Sequence, residues 1–207
     1  MRRQTLLKII GLMRKDLDKG LTILDISKQL KIGYRPAYNH ISEMEKEGII
    51  TIEKIGNAKK CLLNVSNAKS RNLLEELDNL KKEGIYASYP KIKAITEELI
   101  SKVTQEFISD MHSIVLFGSY AKGTATKQSD LDLLFITADL KNRQLRENIE
   151  RQCISYQNSH NLRVSPIISD VAEFRKMIND GKFNVGKEAK EYGISLYGSE
   201  MFWRLVA

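Results

Sequence analysis

The chain has 207 residues, 42% of them hydrophobic, enough for one large domain or two small ones with sizeable cores. Its formal charge of +7 is uneven: residues 1–69 hold 14 Lys/Arg against 7 Asp/Glu, and the remainder holds 19 of each. That asymmetry argues for two modules with the first facing a polyanion, although a basic surface also serves plain solubility. No run approaches the roughly 18 apolar residues of a membrane span. Met1-Arg2-Arg3 followed by Leu6 to Met13 imitates a signal peptide, but Lys8 interrupts it and Arg14-Lys15 follows without a cleavage site. Cys61 and Cys153 show neither metal-ligand spacing nor a disulfide framework. A protein of the reducing cytoplasm, with no membrane partner, is the expectation.

In the first module Leu6, Leu7, Ile10 and Met13 recur at helical spacing. Arg2 and Arg3 ahead of them are expected to be either a phosphate-touching arm or a frayed end. The run Leu21 to Leu24 reads as a small strand, Asp25 as the cap of a helix over 26–30, and Gly33 as a turn. Pro36 suits the first turn of a third helix, which Gly48 ends. Strands over 49–55 and 61–65 follow, around a tip at residues 56–60. This order resembles a winged helix-turn-helix, and Ala37 to Ile50 is similar to the recognition helix and wing entry of bacterial and archaeal regulators. On the third helix Ala37, Ile41 and Met44 share an inward face, leaving Tyr34, Arg35, Tyr38, Asn39 and Ser42 outward. The resemblance implies that these five contact double-stranded DNA from the major groove, with Lys54, Lys59 and Lys60 on its backbone. A winged helix used for protein contact is the alternative. A homodimer rests only on how common two-fold winged-helix dimers are.

Residues 67–90 read as a helical connector. Leu73, Leu74, Leu77 and Leu80 offer a face for a dimer seam or for packing on the winged helix. Gly84 to Pro90 is expected to break that helix. Ile92, Ile95, Leu99, Val103 and Phe107 then mark a long amphipathic helix.

The second module, 91–207, turns on one stretch. Ile114 to Phe117 reads as a buried strand that breaks at Gly118-Ser119 and returns at Ser129-Asp130-Leu131-Asp132. Side chains alternate along a strand, so Asp130 and Asp132 point one way and Leu131 and Leu133 into the core. Two adjacent carboxylates repel unless a cation sits between them. Gly118 lets backbone approach a ligand, and the amides around Ser119 can accept an anion. Gly-Ser, ten residues, then Asp-x-Asp, carried by Gly118, Ser119, Ala121, Gly123, Thr124, Ala125, Ser129, Asp130, Asp132 and Leu133, resembles the polymerase β-like minimal nucleotidyltransferases. The implied fold is α/β (α+β): a mixed sheet with flanking helices, behind the winged helix. The resemblance implies Asp130 and Asp132 as catalytic ligands of Mg²⁺ or Mn²⁺, and Gly118 and Ser119 as holders of the phosphates of ATP or another nucleoside triphosphate. Lys122 either neutralises phosphate charge or is a solvated loop lysine.

Helices over 141–157 and 187–192, strands over 162–168 and 194–197, and a closing helix over 199–205 complete the module. Asp170 followed by Glu173 suits a capping box. The family commonly places a third carboxylate on the strand after Asp-x-Asp. Here the matching position is Ser165, followed by Pro166, which favours an edge strand. Asp170 and Glu173 are nearby in sequence, but helix capping accounts for them, so the third carboxylate is expected to be missing. Three functions remain open on this reading. The first is transfer of a nucleoside monophosphate, AMP from ATP, to an unknown acceptor. The second is a DNA-binding regulator with a nucleotide-sensing or degenerate domain. The third is an antitoxin-type component of a toxin–antitoxin pair.

Overall fold

The structure, a computed structural model, describes residues 3–160 and 162–207. It divides into two compact units, one reaching Leu77 and one running from Asp78 to Val206. No helix among the described residues is long and apolar enough to cross a membrane.

The first unit comprises α1 (Arg3–Met13), a 3-10 turn at 14–16, α2 (Ile23–Leu30), α3 (Tyr34–Lys46), β1 (Ile50–Ile55), β2 (Ala58–Leu63) and the start of α4 (Ala68–Ser88). The periodic apolar residues of α1 and the Ala37, Ile41 and Met44 face of α3 are buried. Together they form the core of a winged helix-turn-helix. Arg2 lies outside the described residues, whereas Arg3 is no free arm: it opens α1, and its Nε donates to Glu76 at 3.2 Å.

Local chemistry shifts several expected boundaries. The strand over 21–24 contracts to a single bridge, in which Leu21 and Cys61 exchange backbone bonds of 3.0 and 2.8 Å. Thr22, rather than Asp25, caps α2. Its hydroxyl accepts the Asp25 amide at 3.1 Å, and Asp25 accepts the Thr22 amide at 3.0 Å, a reciprocal capping box. Ile55 pairs with Ala58, so the wing turns on Gly56 and Asn57 alone, with Gly56 at φ +61°. Lys59 and Lys60 therefore belong to β2 and not to the tip. Leu73 and Leu74 are buried in the first unit, and Leu77 lies against Gly11, so these leucines pack on the winged helix. The break expected over Gly84 to Pro90 falls at the far end of that stretch. α4 runs through Gly84 to Ser88, because one helical glycine costs only about 1 kcal/mol and the neighbouring Tyr86 is buried. The chain breaks at Tyr89-Pro90, where proline takes the first position of α5.

The second unit continues with α5 (Pro90–Phe107), β3 (Met111–Leu116), α6 (Gly118–Lys122), β4 (Leu131–Thr137), α7 (Arg143–His160), β5 (Val164–Asp170), α8 (Val171–Asn179), α9 (Val185–Tyr192), β6 (Ile194–Tyr197) and α10 (Ser199–Val206). The sheet order is β5-β4-β3-β6. β4 and β5 are parallel, joined by the α7 crossover, and the other pairs are antiparallel. β5 is an edge strand, as Pro166 requires. Leu131, Leu133 and Phe135 join one core with Ile92, Leu99 and Val103 of α5 and Leu145 and Ile149 of α7. Alternation sends Leu134 and Ile136, both fully buried, to the other face, and Asp132 shares that face at the start of the strand. The end of the chain is anchored by the buried Asp78, which accepts from Trp203 Nε1 at 3.1 Å and from the Ser195 amide at 3.4 Å.

Candidate functional site

The Asp-x-Asp segment and the Gly-Ser turn meet because β3 and β4 are paired. Leu116 lies opposite Leu133, and the Phe117 amide donates to the Asp132 carbonyl at 3.1 Å. The next residue, Gly118, adopts φ +70° and opens the five-residue α6. A Cβ at Gly118 would lie 2.1 Å from Asp132 Oδ2. The glycine is therefore required twice, by its backbone angle and by the carboxylate occupying its side-chain space. α6 closes on Gly123 at φ +73°, with the Thr124 amide donating to the Ser119 carbonyl at 2.9 Å. The segment is thus a helical turn and loop between two antiparallel strands rather than a tight hairpin. Asp130 lies just before β4, with Arg163 Nη1 3.7 Å from its Oδ2 in a largely solvated pair.

Burial first, then the charges of Asp130 and Glu188, push the Asp132 carboxyl above the ordinary carboxylate value, against the pull of Arg163 and Lys122. Two neighbouring carboxylates, one of them seated in a glycine cradle, form a donor pair that fits a hard divalent cation. Among the described residues no group of three or more His, Cys, Asp or Glu converges on a common metal position.

Ser165 pairs with Asp132 in the parallel register, so a hydroxyl stands at the strand position next to the acidic pair. Asp170 and Glu173 serve the helix cap expected of them. Asp170 pairs with Thr137, five residues further along β5 and so about 16 Å away at the rise of a strand. Its Oδ1 is engaged in capping α8, accepting the Glu173 amide at 2.8 Å. Glu173 follows in the first turn of that helix.

Lys122 is exposed at the end of α6, and its ammonium has partners there. Its Nζ lies 2.6 Å from Glu188 Oε1 and 5.5 Å from the Tyr192 ring centroid. Glu188 and Tyr192 come from α9 and went unnoticed in the sequence. Nothing in their spacing separates them from an ordinary amphipathic helix, and only the tertiary packing of α9 on α6 brings them in.

In the first unit, Tyr34, Tyr38 and Ser42 of α3 and Lys54 and Lys59 of the wing line one crevice of about 790 Å³. Tyr34 and Tyr38 are 55% and 51% exposed. Arg35 and Asn39 are exposed on the same helix. Lys54 and Lys59 lie directly opposite one another across the hairpin, a like-charge pairing that costs stability unless a polyanion faces it. Lys60 diverges from the set: it pairs with Glu53 across the hairpin, and its Nζ donates to the Gly20 carbonyl at 3.4 Å. Glu45 and Glu53 also line the crevice, a negative component that the sequence reading passed over.

Residues 96–195 match the family model described as a nucleotidyltransferase domain, and residues 2–51 match one described as winged helix-turn-helix DNA-binding. A Methanocaldococcus jannaschii protein provisionally named a protein adenylyltransferase, MJ1305, is 40% identical over 76 residues, 36% of this chain and 52% of that protein. The chain thus spans about half the length of that relative. A second protein of the same organism and provisional name, MJ0141, is 27% identical over 105 residues, 47% of this chain and 98% of that protein. A crystal structure titled as a toxin-antitoxin with AMP-PNP shares 21% identity over 53% of this chain and 83% of its own, with a TM-score of 0.35. Another, titled as a mutant of the toxin-antitoxin MntA-HpeT, shares 19% over 53% and 82%, with a TM-score of 0.34. At those scores the likeness says nothing of function.

Proposed function

We propose that this chain, a nucleotidyltransferase domain joined to an N-terminal winged helix-turn-helix domain, binds ATP at the Gly118–Asp132 turn and transfers AMP to a hydroxyl of a protein acceptor. The observation that carries the reading is the seating of the Asp132 carboxylate in the space Gly118 leaves open, with Asp130 beside it. The provisional names of the two archaeal relatives support adenylyl transfer and a protein as its acceptor.

In this reading Asp130 and Asp132 hold a divalent cation, Mg²⁺ or Mn²⁺, which would neutralise charge on the triphosphate. The backbone at Gly118 and Ser119 holds the β- and γ-phosphates, and Lys122 supplies a cation at their flank. The acceptor oxygen bonds to the α-phosphorus, the bond from that phosphorus to the α–β bridging oxygen breaks, and pyrophosphate leaves. The hydroxyl proton passes to water, because Ser165 stands where an acid would serve as base. The winged helix presents Tyr34, Arg35, Tyr38, Asn39, Ser42, Lys54 and Lys59 to duplex DNA.

The same serine favours a second reading. Binding of the metal-bound nucleotide needs only the acidic pair, whereas turnover gains from a third carboxylate, so the domain is a nucleotide sensor if transfer is absent. Incubation of the full chain with α-labelled ATP and Mg²⁺ in a cell extract separates the two. Label on a protein band, lost in Asp130→Asn/Asp132→Asn, supports transfer. Nucleotide binding without label supports the sensor, and neither binding nor label removes both.

A further inference from the structure

The Glu188–Lys122 pair lies at the edge of the proposed nucleotide site, and α9 holds its half of that pair firmly. Asn184 caps the helix, accepting the Lys187 amide at 3.1 Å while its Nδ2 donates to the Met177 carbonyl at 2.8 Å. A Cβ at Gly186 would fall 2.5 Å from the Met177 Cβ, and one at Gly193 would fall 2.7 Å from Val115 Cγ1. Both ends of α9 are thus in direct contact with α8 and β3, the strand that leads into Gly118. Glu188 and Tyr192 are four residues apart and share one helical face. The Glu188 side chain is only 16% exposed and that of Lys122 35%.

A long lysine side chain left in solvent samples many rotamers and must be ordered when it meets a ligand. Here the carboxylate and the aromatic face fix it in advance. The backbone sets where it is fixed: Lys122 ends the five-residue α6 that Gly118 opens, and the Asp132 carboxylate fills the side-chain space of that glycine. We propose that Glu188, with Tyr192 beneath the ammonium, is the positioning residue of Lys122, holding it beside the acidic pair so that the outer phosphates of ATP meet an ordered cation. This rests on the reading of Lys122 as a phosphate contact. Glu188 does not touch the nucleotide itself. It acts through the lysine, and its negative charge is tolerable next to a triphosphate because the ammonium lies upon it.

The alternative is a staple that merely ties α6 to α9, and the two differ in what they move. The full chain is titrated with ATP and with AMP, each with Mg²⁺, as wild type, Glu188→Ala, Glu188→Gln, Lys122→Met and Lys122→Met/Glu188→Ala, with melting temperatures alongside. Glu188→Ala should weaken ATP about tenfold, the scale of one charge-assisted contact, and leave AMP unchanged. Glu188→Gln, which keeps an oxygen acceptor for the ammonium, should recover part of the loss. The double variant should be no weaker than Lys122→Met. ATP binding by Glu188→Ala equal to wild type, equal weakening of ATP and AMP, or additive losses in the double variant each overturn the proposal. Wild-type protein that binds no ATP overturns the reading it rests on as well.

Discussion

Gly118 and Gly123 provide a matched pair for testing why the turn is built as it is. Their φ angles are +70° and +73°, so alanine meets the same left-handed backbone at each, a cost of about 1–2 kcal/mol. Their surroundings differ. A Cβ at Gly123 meets nothing within 4 Å, whereas one at Gly118 lies 2.1 Å from Asp132 Oδ2, 2.9 Å from its Cγ and 3.1 Å from its Cβ. The Asp132 side chain has to move in Gly118→Ala, and overpacking of that kind adds about 1–3 kcal/mol. Urea denaturation should therefore show a loss of about 1–2 kcal/mol for Gly123→Ala and about 2–5 kcal/mol for Gly118→Ala. The functional contrast is sharper. With Asp132 displaced, metal-dependent ATP binding should fall at least about tenfold in Gly118→Ala, on the scale of a lost charged contact, and stay near wild type in Gly123→Ala. Equal destabilisation of the two variants, with ATP binding unchanged at Gly118→Ala, would refute the cradle.

Three further outcomes follow from the same contacts. Because the folded-state value of Asp132 is raised, its contribution to stability is present below the ordinary carboxylate pKa and is lost as pH rises through the raised value. Asp132→Asn in a chelator-treated sample should therefore melt higher than wild type at neutral pH, with the gap closing in acid. A gap that widens in acid contradicts the assignment. In the wing, Lys54→Ser/Lys59→Ser removes two charges placed opposite one another. It should lower duplex affinity and reduce the salt slope by about 1.8, whereas Lys60→Ser, whose ammonium is turned to Gly20, should leave the slope unchanged. Burial pushes the Cys61 thiol up to about 11 and the Cys153 thiol up to about 12. Iodoacetamide at pH 8 should accordingly modify neither in the native chain and both in urea, and native-state labelling would contradict their burial.

The elements carrying strong periodicity were legible in the sequence. α5, β4, β6 and the inward face of α3 stand where apolar spacing puts them, and the edge position of β5 follows from Pro166 alone. What was misread came from side chains competing for backbone groups. Thr22 and Asp25 share one capping box, so the first of them ends the supposed strand. Within the stretch from Gly84 to Pro90 the break comes at the proline end, since the burial of Tyr86 outweighs the modest helical cost of Gly84. At the site, Gly118, Asp130 and Asp132 announce themselves because close approach and charge repulsion constrain residue type locally. Glu188 and Tyr192 do not, because their role exists only once α9 packs against α6, and a helix surface of Glu and Tyr is otherwise ordinary. Lys60 shows the converse: as a wing lysine it reads like Lys59, and strand alternation alone turns it to the other face.

The account depends on the acidic pair holding a cation that in turn holds the triphosphate. Calorimetric titration of ATP into the full chain with Mn²⁺, and again with a chelator, compares wild type with Asp130→Asn/Asp132→Asn at equal ionic strength. The account predicts saturable binding only for wild type with the metal present. Binding that persists in the chelator, or that the double variant retains at wild-type strength, would contradict it.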